Sequence, residues 1–595
     1  MSALLQKAVA AHQAGQLDEA ERLYQTVLNE QPEQPDALAL LGVVIATKGD
    51  VDQALPLLDK AIRLDPQSAL FHFHRGNVLM KAQKLPDAIS AYHEAIKLQP
   101  GMAQAHYNLA NALRAAQDWQ GAITSYQKAI QQQPNYAEAY NNLALALVHE
   151  KHYDAAMEQA LKAVAMAPEY GDGWITVCNI AEQMKDYQLA VEAGSRTVKL
   201  MPDNHRAWFG YGVALNRMDR NEEAIEAYMK ALHLQPERAD IWDNVGQTYQ
   251  SLNWLDKAED AFRKTIEVAG QTLTDENREV DEKEYGNRHW HLALMELLRG
   301  KYKEGFARYR SRFEEVGGLK RPPYSKPLWK GEDLHGKTIL ITDEQGYGDT
   351  LMLARYLPLL KQRGAKIKFS VHPVLKTLFD GWGEVDDVIV HGTTVRGDEY
   401  DYYASVFDLP HRFGTTLETI PNKIPYLPKL EPSAETKLVT TDKIKVGVVW
   451  GGSPLHSNDA RRSIPLPLFA KLFDTQDIVF YSLNRDMKKG DAELLPTLPL
   501  TNLAPQLKTF ADAARFIDQL DLVITVDTAT AHLAGGMGKK VWVLLPFAPD
   551  WRWLTDREDS PWYPSARLFR QDKLSDWDSV VSKVKAALLQ LKPRS

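Results

Sequence analysis

Seven prolines, Pro32, Pro66, Pro100, Pro134, Pro168, Pro202 and Pro236, follow one another at a constant interval of 34 residues. A fixed period of that length is the mark of a repeat architecture, and it commits the first half of the chain before any other feature is weighed. Two further ladders run in the same register. One is alanine: Ala20, Ala54, Ala88, Ala122, Ala156, Ala190, Ala224 and Ala258. The other holds small residues: Ala8, Gly42, Gly76, Ala110, Ala144, Cys178, Gly212 and Gly246. Small side chains let two helix backbones approach closely. Large ones fill the gaps between, with Trp174, Trp208 and Trp242 on first helices and Tyr92, Tyr126, Tyr228 and Phe262 on second ones. Proline cannot continue a helical hydrogen-bond ladder, so each one ends a second helix.

Period and residue types resemble the tetratricopeptide (TPR) repeat. Eight repeats are read over residues 1–272. The polar, acidic stretch 273–285 reads as an insertion, and 289–314 restores a degenerate TPR-like helix pair with Gly305 in the small slot. That pair caps the array, and Pro322, Pro323 and Pro327 mark the exit, so 273–330 is insertion, cap and linker. Stacked repeats present a long concave face lined by first helices. Asn108, Asn142 and Asn244 share one repeat position there, and Asn77, Asn111 and Asn179 another. A carboxamide both donates and accepts, so it can grip a peptide backbone of any sequence. The ladder resembles that of TPR-containing O-GlcNAc transferases, which implies a protein acceptor held on this face. The alternative is that asparagine merely solvates a helix surface.

Composition closes off several classes. Seventy basic residues against 78 acidic ones give a net charge of −8, which argues against nucleic acid as a partner. One cysteine, Cys178, excludes a disulfide framework or a cysteine metal centre within the chain, and it reads as a small core residue. No run approaches the roughly 18 apolar residues of a membrane span. Met1 to Gly15 lacks the pattern of a signal peptide, so a cytoplasmic location is expected.

Beyond residue 330 the periodicity changes to short apolar runs bounded by turn signals. Strands are expected at 338–342, 366–372, 387–391 and 402–409, then at 444–450, 478–483, 522–527 and 541–546. Helical stretches between them predict an α/β fold with parallel sheets, in two lobes covering 331–435 and 436–595. Ligands in such sheets bind beyond the carboxyl ends of the strands, and four constellations lie there. Gly346-Tyr347-Gly348-Asp349 follows the first strand, and Asp349 is either a base facing the cleft or a helix-start carboxylate. Trp450-Gly451-Gly452-Ser453, with His456, Arg461 and Arg462 beyond, is a phosphate clamp or a solvated loop. Asp527-Thr528-Ala529, with His532 one turn on, turns from strand into helix and forms an anion site, unless Asp527 is an N-cap and His532 core. Asp550-Trp551-Arg552 either stacks a base or packs.

The Gly-Tyr-Gly-Asp turn and the Asp-Thr-Ala-Thr-Ala-His-Leu-Ala-Gly segment resemble the heptosyltransferase-like (family 9) GT-B glycosyltransferases over residues 338–571. With the repeats in front, and with Asp-Trp-Arg-Trp and Asp559 to Pro564 behind, the order resembles bacterial TPR–glycosyltransferase fusions. Some of these are soluble flagellin glycosyltransferases. The resemblance implies an inverting, metal-independent protein O-glycosyltransferase with no cofactor. Its donor would be a nucleotide sugar, and the flagellin-modifying relatives point to a nonulosonic acid carried by CMP. Asp349 matches the proposed base, and Asp527, Thr528 and His532 match the donor-phosphate turn. The family's phosphate-binding lysine has no counterpart, leaving Arg461 or Arg462 for that role. Two other functions stay open: a non-enzymatic TPR scaffold with a degenerate sugar-nucleotide domain, and a lipopolysaccharide or glycan glycosyltransferase docked by its repeats.

Overall fold

A computed structural model of the protein describes residues 3–272, 289–313, 324–453, 458–488 and 490–592. The 273–285 insertion, Pro322, Pro323 and His456 lie outside the described residues. The chain forms two compact units, Met1–Pro236 and Glu237–Ser595.

The first unit is a run of helices in pairs, each packed on its neighbours in sequence. The pairs begin with α1 (Ala3–Gln13) and α2 (Leu17–Glu30) and continue to α13 (His205–Arg217) and α14 (Asn221–Leu234). The small slots are tight: a Cβ on Gly76 would lie 2.5 Å from the Tyr92 ring, and one on Gly212 2.6 Å from Tyr228. A periodic device not read from the sequence sets the turn inside each pair. Gly15, Gly49, Gln83, Gln117, Lys151, Lys185 and Asp219, again 34 apart, all have positive φ. Gln83 N–H donates to the Met80 carbonyl and Lys84 N–H to that of Leu79, the paired bonds of a Schellman cap. The tryptophans also do more than fill space. Trp174 and Trp208 donate their indole N–H to the carbonyls of Pro168 and Pro202, tying each repeat to the end of the one before. Cys178 is buried and donates its thiol to the Ala190 carbonyl, and burial pushes that thiol up to about 12, which leaves it a packing residue.

In the second unit the eighth pair, α15 (Ala239–Ser251) and α16 (Leu255–Thr272), joins the α/β region. The unit boundary therefore falls one repeat before the 1–272 limit read from the sequence. The reason is a shared core: Ala258 and Phe262 of α16 pack in one hydrophobic cluster with Leu292, Leu297, Tyr302 and Phe306 of the cap and with residues of both lobes. The first lobe holds a parallel sheet in the order β3-β2-β1-β4, with β1 Thr338–Thr342, β2 Lys366–Val371, β3 Asp387–Val390 and β4 Tyr402–Ser405. The second holds six parallel strands in the order β10-β9-β8-β5-β6-β7. These are β5 Ile444–Val449, β6 Ile478–Ser482, β7 Leu500–Asn502, β8 Leu522–Val526, β9 Val541–Leu545 and β10 Ala566–Arg570. Strand order reverses beside β1 in one sheet and between β5 and β8 in the other. A crevice opens at such reversals, and the turns after β1, β5 and β8 all carry sequence-predicted constellations. Among the described residues no helix is long and apolar enough to cross a membrane.

Candidate active site

A cleft of about 980 Å³ is lined by the turns after β1, β5 and β8 and by Asp550, Trp551 and Arg552 after β9. Gly346 and Gly348 open the helix Tyr347–Leu353. Gly348 is required by contact: a Cβ there would lie 2.7 Å from the His532 ring and 3.3 Å from Ala529 Cα. Asp349 divides its two oxygens. Oδ2 accepts the Gly346 N–H at 3.0 Å, which is the helix-start contact, and Oδ1 pairs with the Arg552 guanidinium. Burial lifts the Asp349 carboxyl above the ordinary aspartate range, against the pull of Arg552 and the Gly346 N–H. Arg552 is half-buried. Burial opposes its charge, but the Asp349 and Asp550 carboxylates outweigh it and hold the guanidinium firmly protonated. Its Nη1 donates to Asp550 Oδ1 at 2.6 Å, while its buried Nε has no hydrogen-bond partner among the described residues.

Arg462 crosses the turn after β5. A Cβ on Gly452 would lie 2.5 Å from Arg462 Nη2, so this glycine makes room for the guanidinium. Arg462 Nη1 donates to the Asp527 carbonyl at 3.1 Å and joins the first two constellations of the second lobe. Gly451 and Ser453 also line the cleft, and the Gly451 N–H donates to Asn484 Oδ1. Thr528 occupies the N-cap position of the helix Ala529–Gly536, but its side chain makes no capping bond and instead meets Thr525 Oγ1 at 3.0 Å. Ala529 and Thr530, the first residues of that helix, line the cleft, and the unpaired N–H groups of a helix start suit an anion. Asp527 lies beside them. Burial and then the Asp550 carboxylate push its carboxyl up to about 6, while Arg552 and Arg462 favour the charged form.

Other predicted residues fall elsewhere. Trp450 is core: it is 1% exposed, donates its indole N–H to Asp491 Oδ2 and packs near Phe469, because the apolar run of β5 continues inward through it. Arg461 is exposed and is not among the cleft residues, since one helical step turns it away from Arg462. The Trp551 face is closed to a base by Tyr302, Phe306 and Trp562 edge-on and by Arg552 4.4 Å from its centroid. His532 lies on the cleft but is no cation. Burial, together with Arg552 and Arg355, holds its imidazole far below the usual histidine range, and it bonds Tyr563 Oη and stacks on Trp553.

The asparagine ladder is largely turned on itself. Asn77 Oδ1 accepts from both Tyr92 Oη and Asn108 Nδ2, each at 2.8 Å. One repeat on, Asn111 Oδ1 accepts from Tyr126 Oη at 2.6 Å and from Asn142 Nδ2 at 3.3 Å. Asn244 donates to the Asp240 carbonyl of its own helix, and Asn179 is exposed. The paired positions bind repeat to repeat.

The structure adds cleft residues that the sequence did not reveal. Arg485 and Asp486 follow the carboxyl end of β6, the same kind of position as the other turns of the cleft. Thr509 and Phe510 open the helix Phe510–Asp518, and Tyr347 meets Phe510 edge-on at 5.5 Å. Trp290, Leu294 and Tyr309 reach the cleft from the helical cap. Among the described residues no group of three or more His, Cys, Asp or Glu side chains comes together as a metal site.

Comparison with known proteins agrees with this division. A tetratricopeptide-repeat model matches residues 5–69, 73–137, 110–170 and 179–240, and a second such model matches 239–272. The model for glycosyltransferase family 9 (heptosyltransferase) matches residues 467–551, which include Asp527, His532 and Asp550 but not Asp349. Protein FlbA of Caulobacter vibrioides is 29% identical over 331 residues, 50% of this chain and 55% of that protein, so the match spans about half of its length. Two solved structures similar to part of this chain are MamA (27% identity, 28% of this chain and 95% of that one, TM-score 0.26) and YrrB, titled a TPR protein with an unusual peptide-binding site (24%, 31% and 95%, TM-score 0.28). The chain carries tetratricopeptide repeats followed by a domain of the glycosyltransferase family 9 (heptosyltransferase) type.

Proposed function

We propose that the protein is a glycosyltransferase of GT-B type that moves a sugar from a nucleotide-sugar donor to a Ser or Thr hydroxyl of a protein acceptor, with flagellin as one such acceptor. The observation that carries the reading is that Asp349 and the uncapped N-terminus of the helix Ala529–Gly536 open into one cleft. The family match over 467–551 contains that helix. In the reading, the donor diphosphate or phosphate lies at the helix N-terminus near Arg462. The acceptor oxygen attacks the anomeric carbon, and the bond from that carbon to the phosphate oxygen breaks with its electron pair on the phosphate. The hydroxyl proton passes to Asp349. One displacement inverts the configuration. Arg552, paired with Asp349 on the cleft wall, offsets the charge that develops on the leaving group. Its shift toward an incoming phosphate would also release Asp349 as the base.

A glycan acceptor is the second reading. The description of the matched family, heptosyltransferase, favours it, and so does the internal pairing of the asparagine ladder. The test is a panel of UDP-, ADP-, GDP- and CMP-sugars with purified protein, first by thermal shift and then by intact mass of candidate acceptors. A ligand at 100 times its dissociation constant raises stability by ~2.7 kcal/mol, which such a panel detects. Sugar mass on a protein supports the first reading and sugar mass only on a glycan the second. Absence of both transfer and hydrolysis returns the domain to a scaffold.

A further inference from the structure

The turn that carries Asp349 is held from outside the α/β domain. Glu344 and Gln345 immediately precede Gly346. Gln345 has φ of +62°, a left-handed conformation that side chains other than glycine seldom adopt, so its neighbours must impose it. Two of the contacts on this turn come from the helical cap after the repeats, one on Gln345 and one on Glu344. Tyr309 Oη donates to Gln345 Oε1 at 3.1 Å. Arg312 places its guanidinium on Glu344 as a fork, with Nη2 2.8 Å from Oε2 and Nε on Oε1, and also reaches Asp408 Oδ1 at 3.3 Å. Ser405 Oγ donates to Glu344 from the end of β4. Tyr309 and Arg312 are both about 1% exposed, and Phe407 stacks on Tyr309 with centroids 4.9 Å apart. A bidentate fork fixes orientation as well as distance, which a single contact does not.

We propose that Tyr309 and Arg312 are positioning residues that clamp the Glu344–Gly346 turn and so place the Asp349 carboxylate in the cleft. The cap is thereby part of the active site and not merely the end of the repeat array. Any bearing on catalysis rests on the reading of Asp349 as the base. The clamp itself does not.

The test uses the full chain and the conservative variants Tyr309→Phe and Arg312→Lys. Amide hydrogen exchange is read on a peptide covering 343–350 and on a control peptide covering 444–452. Exchange of the first should speed up by about fivefold, the factor by which one hydrogen bond changes a local opening equilibrium, while the control stays as in wild type. Unchanged exchange of 343–350 in both variants overturns the proposal, and so does equal acceleration of both peptides, which marks a general loss of stability. Release of nucleoside phosphate from UDP-, ADP-, GDP- and CMP-sugars supplies the second readout. Tyr309→Phe should lower kcat roughly 10- to 100-fold, the cost of a small misplacement, with the donor KM little changed. Gln345→Ala combined with Tyr309→Phe should be no worse than either alone, because Tyr309 acts through Gln345. Additive losses overturn that route. Should Asp349→Asn keep wild-type turnover while the exchange result holds, the clamp stands and the base assignment falls.

Discussion

Arg552 pairs with Asp349 across 203 residues of chain, so the candidate base of the first lobe is neutralised by a guanidinium of the second. The same guanidinium is held by Asp550, and Asp527 lies close enough for Asp550 to raise its carboxyl. Four carboxylates (Asp349, Asp486, Asp527 and Asp550) and three arginines (Arg462, Arg485 and Arg552) thus share one cleft, and small changes of charge there have readable effects.

Asp349→Asn removes the proton acceptor but keeps the shape. Nucleotide-sugar binding should persist and turnover should fall by roughly 10²–10⁴-fold, the contribution of a general base. Steady-state rates beside a binding isotherm measure both. Wild-type turnover would leave Asp349 as the helix-start residue that its bond to Gly346 already makes it.

The two adjacent arginines should behave differently. Arg462→Ala removes the side chain that lies across Gly452 and should weaken nucleotide binding by about 1.5–3 kcal/mol, the size of a charge-assisted hydrogen bond. Arg461→Ala should leave it unchanged. Isothermal titration with the free nucleotide separates them, and equal losses would contradict the placement of Arg461 outside the cleft.

Asp527 should make stability depend on pH. Its folded carboxyl titrates at about 6, above the unfolded value of ~3.9, so the native state holds a proton that the unfolded state releases across that interval. Asp527 therefore costs stability as pH rises through 6, and the cost disappears below the unfolded value. Asp527→Asn should raise the melting temperature at pH 8 and raise it little at pH 4. A gain that is the same at both would refute the buried-charge account.

Within the repeats, Asn77→Ala should strand both the Tyr92 hydroxyl and the Asn108 amide, costing about 1–3 kcal/mol if they stay unsatisfied. Urea melts of the full chain report it. The exposed Asn179 serves as control, and its alanine variant should be close to neutral.

Much of the architecture was legible because each part repeats a simple rule. The 34-residue ladders marked the helix pairs, and of the ten strands among the described residues eight announced themselves as apolar runs. The two missed strands are β7, only Leu500–Asn502, and β10, Ala566–Arg570, where Arg567 and Arg570 interrupt the pattern. Both are edge strands, which need less apolar surface than the strands between them. In the site, glycine turns at strand ends were readable, since chain order alone places them there. Local sequence did not separate Arg462 from Arg461, nor show that the Trp450 and Trp551 rings turn into the core. The cap residues Tyr309 and Arg312 were invisible for a related reason: they meet the Glu344–Gln345 turn only through folding, and nothing in their spacing names a partner more than 30 residues away.

The core shared by Phe262, Tyr302 and the lobes changes where this chain can be divided. A solenoid normally ends in a repeat whose outer face is polar, but here the α/β domain covers that end. A cut after residue 272 would leave Phe262 on one fragment and its packing partners on the other, and both pieces would carry raw apolar surface. A cut at Pro236 respects the compact units, so the portable fragment that carries the cleft begins with a helix pair that looks, from its period, like part of something else.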